Sequence, residues 1–305
     1  MPREHFGKGF QFLPRADILS FEEIVRVARV LCGAGLRKVR LTGGEPLLRA
    51  DLPVLVGMLA SLPGLDLALT TNGVLLADQA LPLFSAGLRR ITVSLDSLDD
   101  GVYRAMTDGA VGVETVLAGI ESARRAGFSP IKINAVVRRG VNDAGIIELA
   151  RYFKDKGDVL RFIEYMDVGT TNGWQLEHVV SGSEIVRRID EALPLEPLEA
   201  GYRGEVARRH RYRDGGGEIG VITSVTQPFC GNCTRARLTA DGKLVTCLFA
   251  TSGLDLREPL RDGRSDEALC DLVREAWSAR QDRYSELRSS RTASLPRVEM
   301  SYVGG

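Results

Sequence analysis

The chain has 305 residues, with 40 basic and 40 acidic side chains and 44% hydrophobic residues. That length fits about two domains, or one barrel with an extension, and the apolar fraction is enough for a packed core. A formal charge of zero gives no bulk electrostatic case for nucleic acid or an anionic membrane, so any anionic ligand has to be held by local arginines.

No stretch approaches the roughly 18 uninterrupted apolar residues of a membrane span. The opening MPREHFGKGFQFLPR lacks the apolar region of a secretory signal. Five cysteines, three of them clustered, do not make a disulfide framework. A soluble cytoplasmic protein with reduced thiols is expected.

In chain order, Ser20-Phe21-Glu22-Glu23 reads as a capping box that opens a helix to about Leu31. Short β-branched strands then alternate with helical stretches: KVRL from Lys38, LALT from Leu67, ITVSL from Ile91, IKINAVV from Ile131 and VLRFIEY from Val159. The alternation predicts βαβ units, a parallel sheet and right-handed crossovers. A polar or glycine-rich loop follows each strand: Thr42-Gly43-Gly44-Glu45-Pro46, Thr71-Asn72-Gly73, Asp96-Ser97, Arg138-Arg139-Gly140 and Met166-Asp167-Val168-Gly169. In βα barrels that end of the strands gathers the catalytic residues. Five strands do not close a TIM barrel, so residues 1–194 are predicted to form an open, partial barrel. A further helix is expected over 183–193. From about Leu195 the chain turns irregular and hairpin-rich, with Gly215-Gly216-Gly217 as a turn, a late helix over 266–279 and a tail ending Gly304-Gly305. Residues 195–305 are taken as a second unit.

That unit holds Cys230, Cys233 and Cys247 in a C-x2-C-x13-C run. Asp241-Gly242 reads as the hairpin turn that folds Cys247 back toward the other two. Three thiols leave one coordination position of a metal centre open. Two readings fit them: structural zinc, with His210 or Cys270 as the fourth ligand, or an iron–sulfur cluster. Arg235 and Arg237, in Thr234-Arg235-Ala236-Arg237, weigh toward the cluster, because a closed structural site has no evident need for them. A two-residue turn sets Cys247 opposite Ala236, and a three-residue turn with Gly242 left-handed sets it opposite Arg235. Only the second puts Cys247 and the arginines on one face, and it is the register expected if the arginines serve the site. Arg40 and Lys132 interrupt apolar strands. A charge there needs a partner, either an anionic ligand or an internal salt bridge such as one with Glu164.

KVRLTGGEPLLR from Lys38, TTNG from Thr70, VSLDS from Val93, KIN from Lys132, RFIEYM from Arg161, the cysteine run and the terminal glycine pair occur in this order. Together they resemble the molybdenum-cofactor biosynthesis protein A family, the radical SAM GTP 3′,8-cyclases. The resemblance spans nearly the whole chain. GGEP and TNG are shared with many radical SAM proteins, whereas the cysteine run with TRxR is far more specific.

The resemblance implies a partial six-stranded (βα) barrel with two [4Fe–4S] clusters. One, near the N-terminus, cleaves S-adenosylmethionine reductively. The 5′-deoxyadenosyl radical takes hydrogen from C3′ of GTP, and the C3′ radical attacks guanine C8 to give (8S)-3′,8-cyclo-7,8-dihydroguanosine 5′-triphosphate. The second cluster, on Cys230, Cys233 and Cys247, binds guanine at its open iron. Gly44, Ser94 and the Met166 backbone are implied contacts of S-adenosylmethionine. Arg40, Thr71, Lys132, Arg235 and Arg237 are implied contacts of GTP, the last two also catalytic, and the Gly304-Gly305 tail enters the site. A homodimer and a downstream cyclic pyranopterin monophosphate synthase are the implied partners. The family's C-x3-C-x2-C segment and first strand are absent from the chain as written. The expectation is therefore a start set too far downstream, no ligands for the cluster that cleaves S-adenosylmethionine, and no catalysis by this chain as it stands. The competing readings are a non-catalytic GTP-binding relative and a zinc-ribbon interaction protein.

Overall fold

The computed structural model describes residues 13–168 and 173–288. The helix opened at Ser20 is α1 (Phe21–Gly33), and its capping box is complete: Glu23 N donates to Ser20 Oγ (3.2 Å) and Ser20 N to Glu23 Oε2 (2.7 Å). The five expected strands follow as β1 (Lys38–Leu41), β2 (Asp66–Thr71), β3 (Arg90–Ser94), β4 (Lys132–Val137) and β5 (Val159–Glu164). Helices α2 (Leu52–Ala60), α3 (Leu76–Ser85), α4 (Asp100–Thr107), α5 (Val113–Ala126), α6 (Ile146–Phe153) and α7 (Gly182–Ala192) lie between and after them.

The strands pair in parallel and in chain order. Their alternation separates two faces. Leu67, Leu69, Ile91, Val93, Ile133, Ala135, Leu160 and Phe162 belong to one buried apolar core with residues of the helices. At about 25 cal/mol per Å² each of these Leu, Ile, Val and Phe side chains contributes about 1.5–3 kcal/mol when buried. The alternate positions point to the other, inner face.

The sheet does not stop at β5. A hairpin of β6 (Leu195–Leu198) and β7 (Ala207–Tyr212) leads into β8 (Glu218–Ile222), which pairs parallel with β5. Among the described residues the order is β1-β2-β3-β4-β5-β8-β7-β6, with β1 and β6 as the two edges, so this sheet is open. The boundary expected at 194/195 therefore falls inside a continuous sheet. Local sequence hid this because β8 reaches β5 through α7 and an antiparallel detour, not through a simple βαβ step. The turn expected at Gly215-Gly216-Gly217 is the β7–β8 turn, with Gly215 and Gly217 at φ 85° and 98°.

Beyond the sheet, β9 (Arg237–Leu238), β10 (Lys243–Val245) and β11 (Leu254–Asp255) form a small antiparallel sheet, followed by α8 (Arg257–Arg261), α9 (Asp266–Ser278) and α10 (Tyr284–Leu287). A second apolar cluster joins Val27 and Val30 of α1 to Leu244, Leu256, Leu269 and Val273. Leu19 N donates to Ala240 O (2.8 Å), Arg26 pairs with Asp266 (2.8 Å) and Arg261 with Glu23 (2.8 Å). The cysteine hairpin is thus docked on the N-terminal helix. The Gly304-Gly305 tail, Gly169 and the first twelve residues lie outside the described residues.

Candidate active site

The inner face is cationic. Lys38 and Arg40 of β1, Arg90 of β3, Lys132 of β4, Arg161 of β5 and Arg209 of β7 share it with Asp66 and Glu218. Asp66 pairs with both Arg90 (2.7 Å) and Lys38 (3.5 Å), and Glu218 pairs with Arg209 (2.6 Å). Among the described residues, Arg40, Lys132 and Arg161 have no carboxylate in ion-pair range. Glu164, the internal partner considered for Arg40 and Lys132, points to the opposite face. It accepts hydrogen bonds from Gly182 N, Val225 N and Thr226 N and is fully buried.

Hydroxyls hold these cations in place. Arg40 Nη1 donates to Thr70 Oγ1 (2.8 Å) and Thr92 Oγ1 (3.0 Å), and Arg161 Nη2 reaches Thr92 Oγ1 at 3.4 Å. That last contact joins β5 to β3 across β4, so the sheet is curved around this face. Burial, then Arg90, lowers the Arg40 guanidinium pKa. Burial, then Arg40, brings Arg161 down to about 10. Burial, then Arg161, Arg90, Lys38 and Arg40, brings the Lys132 ammonium down to about 8. Each group carries the mark of a desolvated cation among like charges.

Ser94, Asn134, Arg161, Gly220 and Arg209 follow one another across the sheet in register. Among the described residues, Asn134 Oδ1, an acceptor, and Arg161 Nε, a donor, in that row are buried without a hydrogen-bond partner. A Cβ on Gly220 would stand 3.1 Å from Arg161 Cγ, so glycine there leaves room for the arginine stem. Lys132, Arg161, Tyr202, Glu205, Arg209 and Glu218 line a small solvent-connected cleft at this row.

Thr71 lies apart from the inner cations. One residue along from Thr70, it turns to the helical face, is buried, donates to Glu45 Oε1 (2.7 Å) and accepts from Gly73 N (3.0 Å). Thr70 is the threonine beside Arg40. The missed signal is strand parity: counting by twos from Arg90, through Thr92 to Ser94, and from Asp66 to Thr70 picks the inner residues. Arg161 was passed over in the same way.

Gly44, Ser94 and Met166 come to the carboxyl ends of β1, β3 and β5. Glu45 fixes the first loop, accepting from Leu47 N (3.0 Å) and Asn72 N (2.8 Å) besides Thr71. Gly43, at φ 132°, takes a conformation that L side chains rarely adopt. Met166 packs with Ile163, Ala207, Ile222 and Phe229, an apolar patch between the cationic rows and Cys230.

In the hairpin, Leu244 faces Leu238 and Val245 faces Arg237, with Gly242 at φ 88°. Continued by two residues, this register sets Cys247 opposite Arg235, as the three-residue turn requires. All five cysteines are free thiols. Cys230 and Cys233 close a short turn, Cys233 N donating to Cys230 O (3.1 Å). Arg235 is exposed, but its Nε lies 3.4 Å from Cys233 Sγ and its guanidinium stands over Phe229 at 5.2 Å. Arg237 is half-buried, and burial, then Arg235, lowers it to about 10 despite Cys247 and Cys233 nearby. Burial raises the Cys233 thiol, but Arg235 overrides this and brings it down to about 7. Burial pushes the Cys247 thiol up.

Among the described residues no three His, Cys, Asp or Glu side chains group closely enough to hold a metal ion. Thiolates on a single zinc, each at about 2.3 Å from it, crowd together, whereas a four-iron cluster spreads its cysteines over separate irons. The all-sulfur donor set of Cys230, Cys233 and Cys247 is of a kind that either centre accepts.

Residues 3–153 match the Radical SAM superfamily, and residues 158–286 match Molybdenum Cofactor Synthesis C. The chain is 54% identical to the GTP 3′,8-cyclase of Acidothermus cellulolyticus, over 100% of this chain and 91% of that protein. It is 51% identical to that of Xanthomonas campestris pv. campestris, over 94% and 84%, and 46% identical to that of Staphylococcus carnosus, over 100% and 91%. An open parallel sheet with loops poised over a polar inner face is the architecture of a radical SAM enzyme, a class that uses S-adenosylmethionine with a [4Fe–4S] cluster. Within that class, the chain belongs to the GTP 3′,8-cyclase family. No described helix is long and apolar enough to cross a membrane.

Proposed function

We propose that the protein acts in molybdenum cofactor biosynthesis as a GTP 3′,8-cyclase. The triphosphate lies along the cationic inner face and the guanine points toward Cys230, Cys233 and Cys247. The observation that carries this reading is the set of desolvated cations, Arg40, Lys132 and Arg161, left without a carboxylate. Holding them together costs free energy that a triphosphate recovers, and guanidinium groups offer it paired donors.

Arg40 and Arg161 grip phosphate oxygens, with Thr70 and Thr92 fixing their guanidinium planes. Lys132 adds a point charge. Asn134 offers its free Oδ1 to a sugar hydroxyl, and Gly44, Ser94 and the Met166 backbone hold S-adenosylmethionine. Cys230, Cys233 and Cys247 hold a [4Fe–4S] cluster, with Arg235 and Arg237 facing the base. Radical formation from S-adenosylmethionine, for hydrogen removal at C3′, would need a further [4Fe–4S] cluster, whose C-x3-C-x2-C ligands are not in the sequence as given. The chain's own residues orient that carbon and C8 and exclude water. The apolar patch of Ile163, Met166, Ile222 and Phe229 serves the last task. The product passes to a cyclic pyranopterin monophosphate synthase, and the chain works as a homodimer.

Calorimetry of GTP against the anaerobically reconstituted chain tests the reading, and absence of binding overturns it. Two further results are expected. Thr71→Val should cost about 1–3 kcal/mol of stability, because it takes a donor from the half-buried Glu45 carboxylate and leaves Gly73 N without its acceptor, with GTP affinity unchanged. Thr70→Val should weaken GTP several-fold with little change in the denaturation midpoint. The opposite pattern would restore Thr71 to the site.

The second result concerns pH. Lys132 is at about 8 in the folded chain, against about 10.4 for a free lysine. Between those values the unfolded chain binds a proton that the folded one lacks, so this group makes the free protein more stable as pH rises. A bound triphosphate restores the proton. GTP affinity should fall as pH rises above about 8, with proton uptake on binding. Lys132→Met should flatten the profile in calorimetry across buffers of different ionisation enthalpy.

A further inference from the structure

Glu164 is fully buried and on the face away from the nucleotide, yet its carboxylate takes four hydrogen bonds from two separate segments. Oε1 accepts from Gly182 N (2.7 Å) at the start of α7 and from Thr226 Oγ1 (2.5 Å). Oε2 accepts from Val225 N and Thr226 N, both at 2.8 Å. Residues 225–226 lie just ahead of Phe229 and Cys230. Their loop is closed on itself by Thr223 Oγ1 to Gln227 O (3.1 Å) and Gln227 N to Thr223 O (3.2 Å). The approach of α7 depends on Gly182, where a Cβ would collide with Thr223 Cγ2 and stand 2.9 Å from Val221 Cγ1.

A second buried carboxylate lies three residues on. Asp167 Oδ1 accepts from Arg288 Nη2 (2.8 Å), and Arg288 Nη1 donates to Ser224 O (3.1 Å). The end of β5 therefore grips the loop before the cysteines from both sides. Met166 lies on that same stretch, while Arg161 lies on β5 itself.

We propose that Glu164 is a positioning residue for the known reaction. By tying the 225–226 loop to the end of β5 it fixes how far the Cys230–Cys233 turn stands from the cationic rows. It thereby sets the span between the triphosphate and base ends of one nucleotide. The carboxylate touches neither end. The inference rests on the nucleotide reading above. A carboxamide at this position keeps the shape but presents N–H to N–H, so the loop is released on at least one side.

The test uses two ligands on the anaerobically reconstituted chain: GTP, which needs both ends, and inorganic triphosphate, which needs only the cations. For Glu164→Gln the GTP dissociation constant should rise about 10–100-fold, the usual range for a residue that orients ligands indirectly. Inorganic triphosphate should bind as in the wild type, and iron content should be retained. Thr226→Val, which removes one donor and leaves the carboxylate, should shift GTP in the same direction by a smaller factor. It carries the test if Glu164→Gln does not fold. Unchanged GTP affinity in the folded variants overturns the proposal, and so does equal loss of both ligands, which marks a general folding role. A wild-type chain that binds neither ligand overturns the nucleotide reading and this inference with it.

Discussion

Cys233→Ala is expected to take the anaerobically reconstituted chain from about four irons to near none, with loss of the brown absorbance. Cys233 stands out among the three thiols. The Arg235 guanidinium at its Sγ holds it down at about 7, so much of it is already thiolate at neutral pH. Cys230 shares its turn, and Cys247 sits where the hairpin register returns the chain. Removing one of three protein ligands leaves a cubane on two, which does not persist. Cys270→Ala should keep its iron, because Cys270 packs against the second apolar cluster instead. Iron and sulfide analysis beside the visible spectrum decides the matter. A colourless wild type carrying one zinc per chain would sink the cluster assignment.

Arg40→Met should separate affinity from stability. GTP binding should weaken about 10–100-fold, corresponding to loss of about 1.5–3 kcal/mol of charge-assisted hydrogen bonding. The free protein should not lose stability and should gain some. Arg40 is a half-buried, desolvated cation repelled by Arg90 and, from β5, by Arg161, with Thr70 and Thr92 as its hydrogen-bond partners among the described residues. The methionine keeps the apolar stem and removes the repulsion. Such trade-offs mark sites kept for a ligand. Calorimetry with GTP and thermal unfolding of the free chain give both readouts, and a variant that is less stable while binding GTP normally would assign Arg40 a structural role.

What was legible along the chain follows from how local each signal is. The five βα strands could be read because β-branched runs and their loop residues are contiguous. The hairpin register could be anticipated because Gly242 at a left-handed φ governs it from within the turn. Arg40 and Lys132 stood out as charges in apolar strands. Thr71 comes from the family resemblance, and a motif does not say which way a side chain turns: one residue reverses the face. Glu164 was offered as an internal counter-ion for the same reason. β8 was read as part of a separate unit, since nothing near it in sequence reveals that it lies against β5.

The sequence by itself determined the class of fold, the family and the chemical types at the site: thiols in a turn, arginines beside them, glycines after the first strand. Only the tertiary structure decided which of those groups share a face. It placed Arg161 and Thr70 with Arg40, sent Thr71 and Glu164 to the other side, and joined the cysteine loop to the end of β5. The physical reason is that residue type and local backbone preference are properties of neighbours in the chain. Charge crowding, desolvation and the partner of a buried carboxylate arise from residues dozens of positions apart, brought together when the sheet curves and its apolar face is covered.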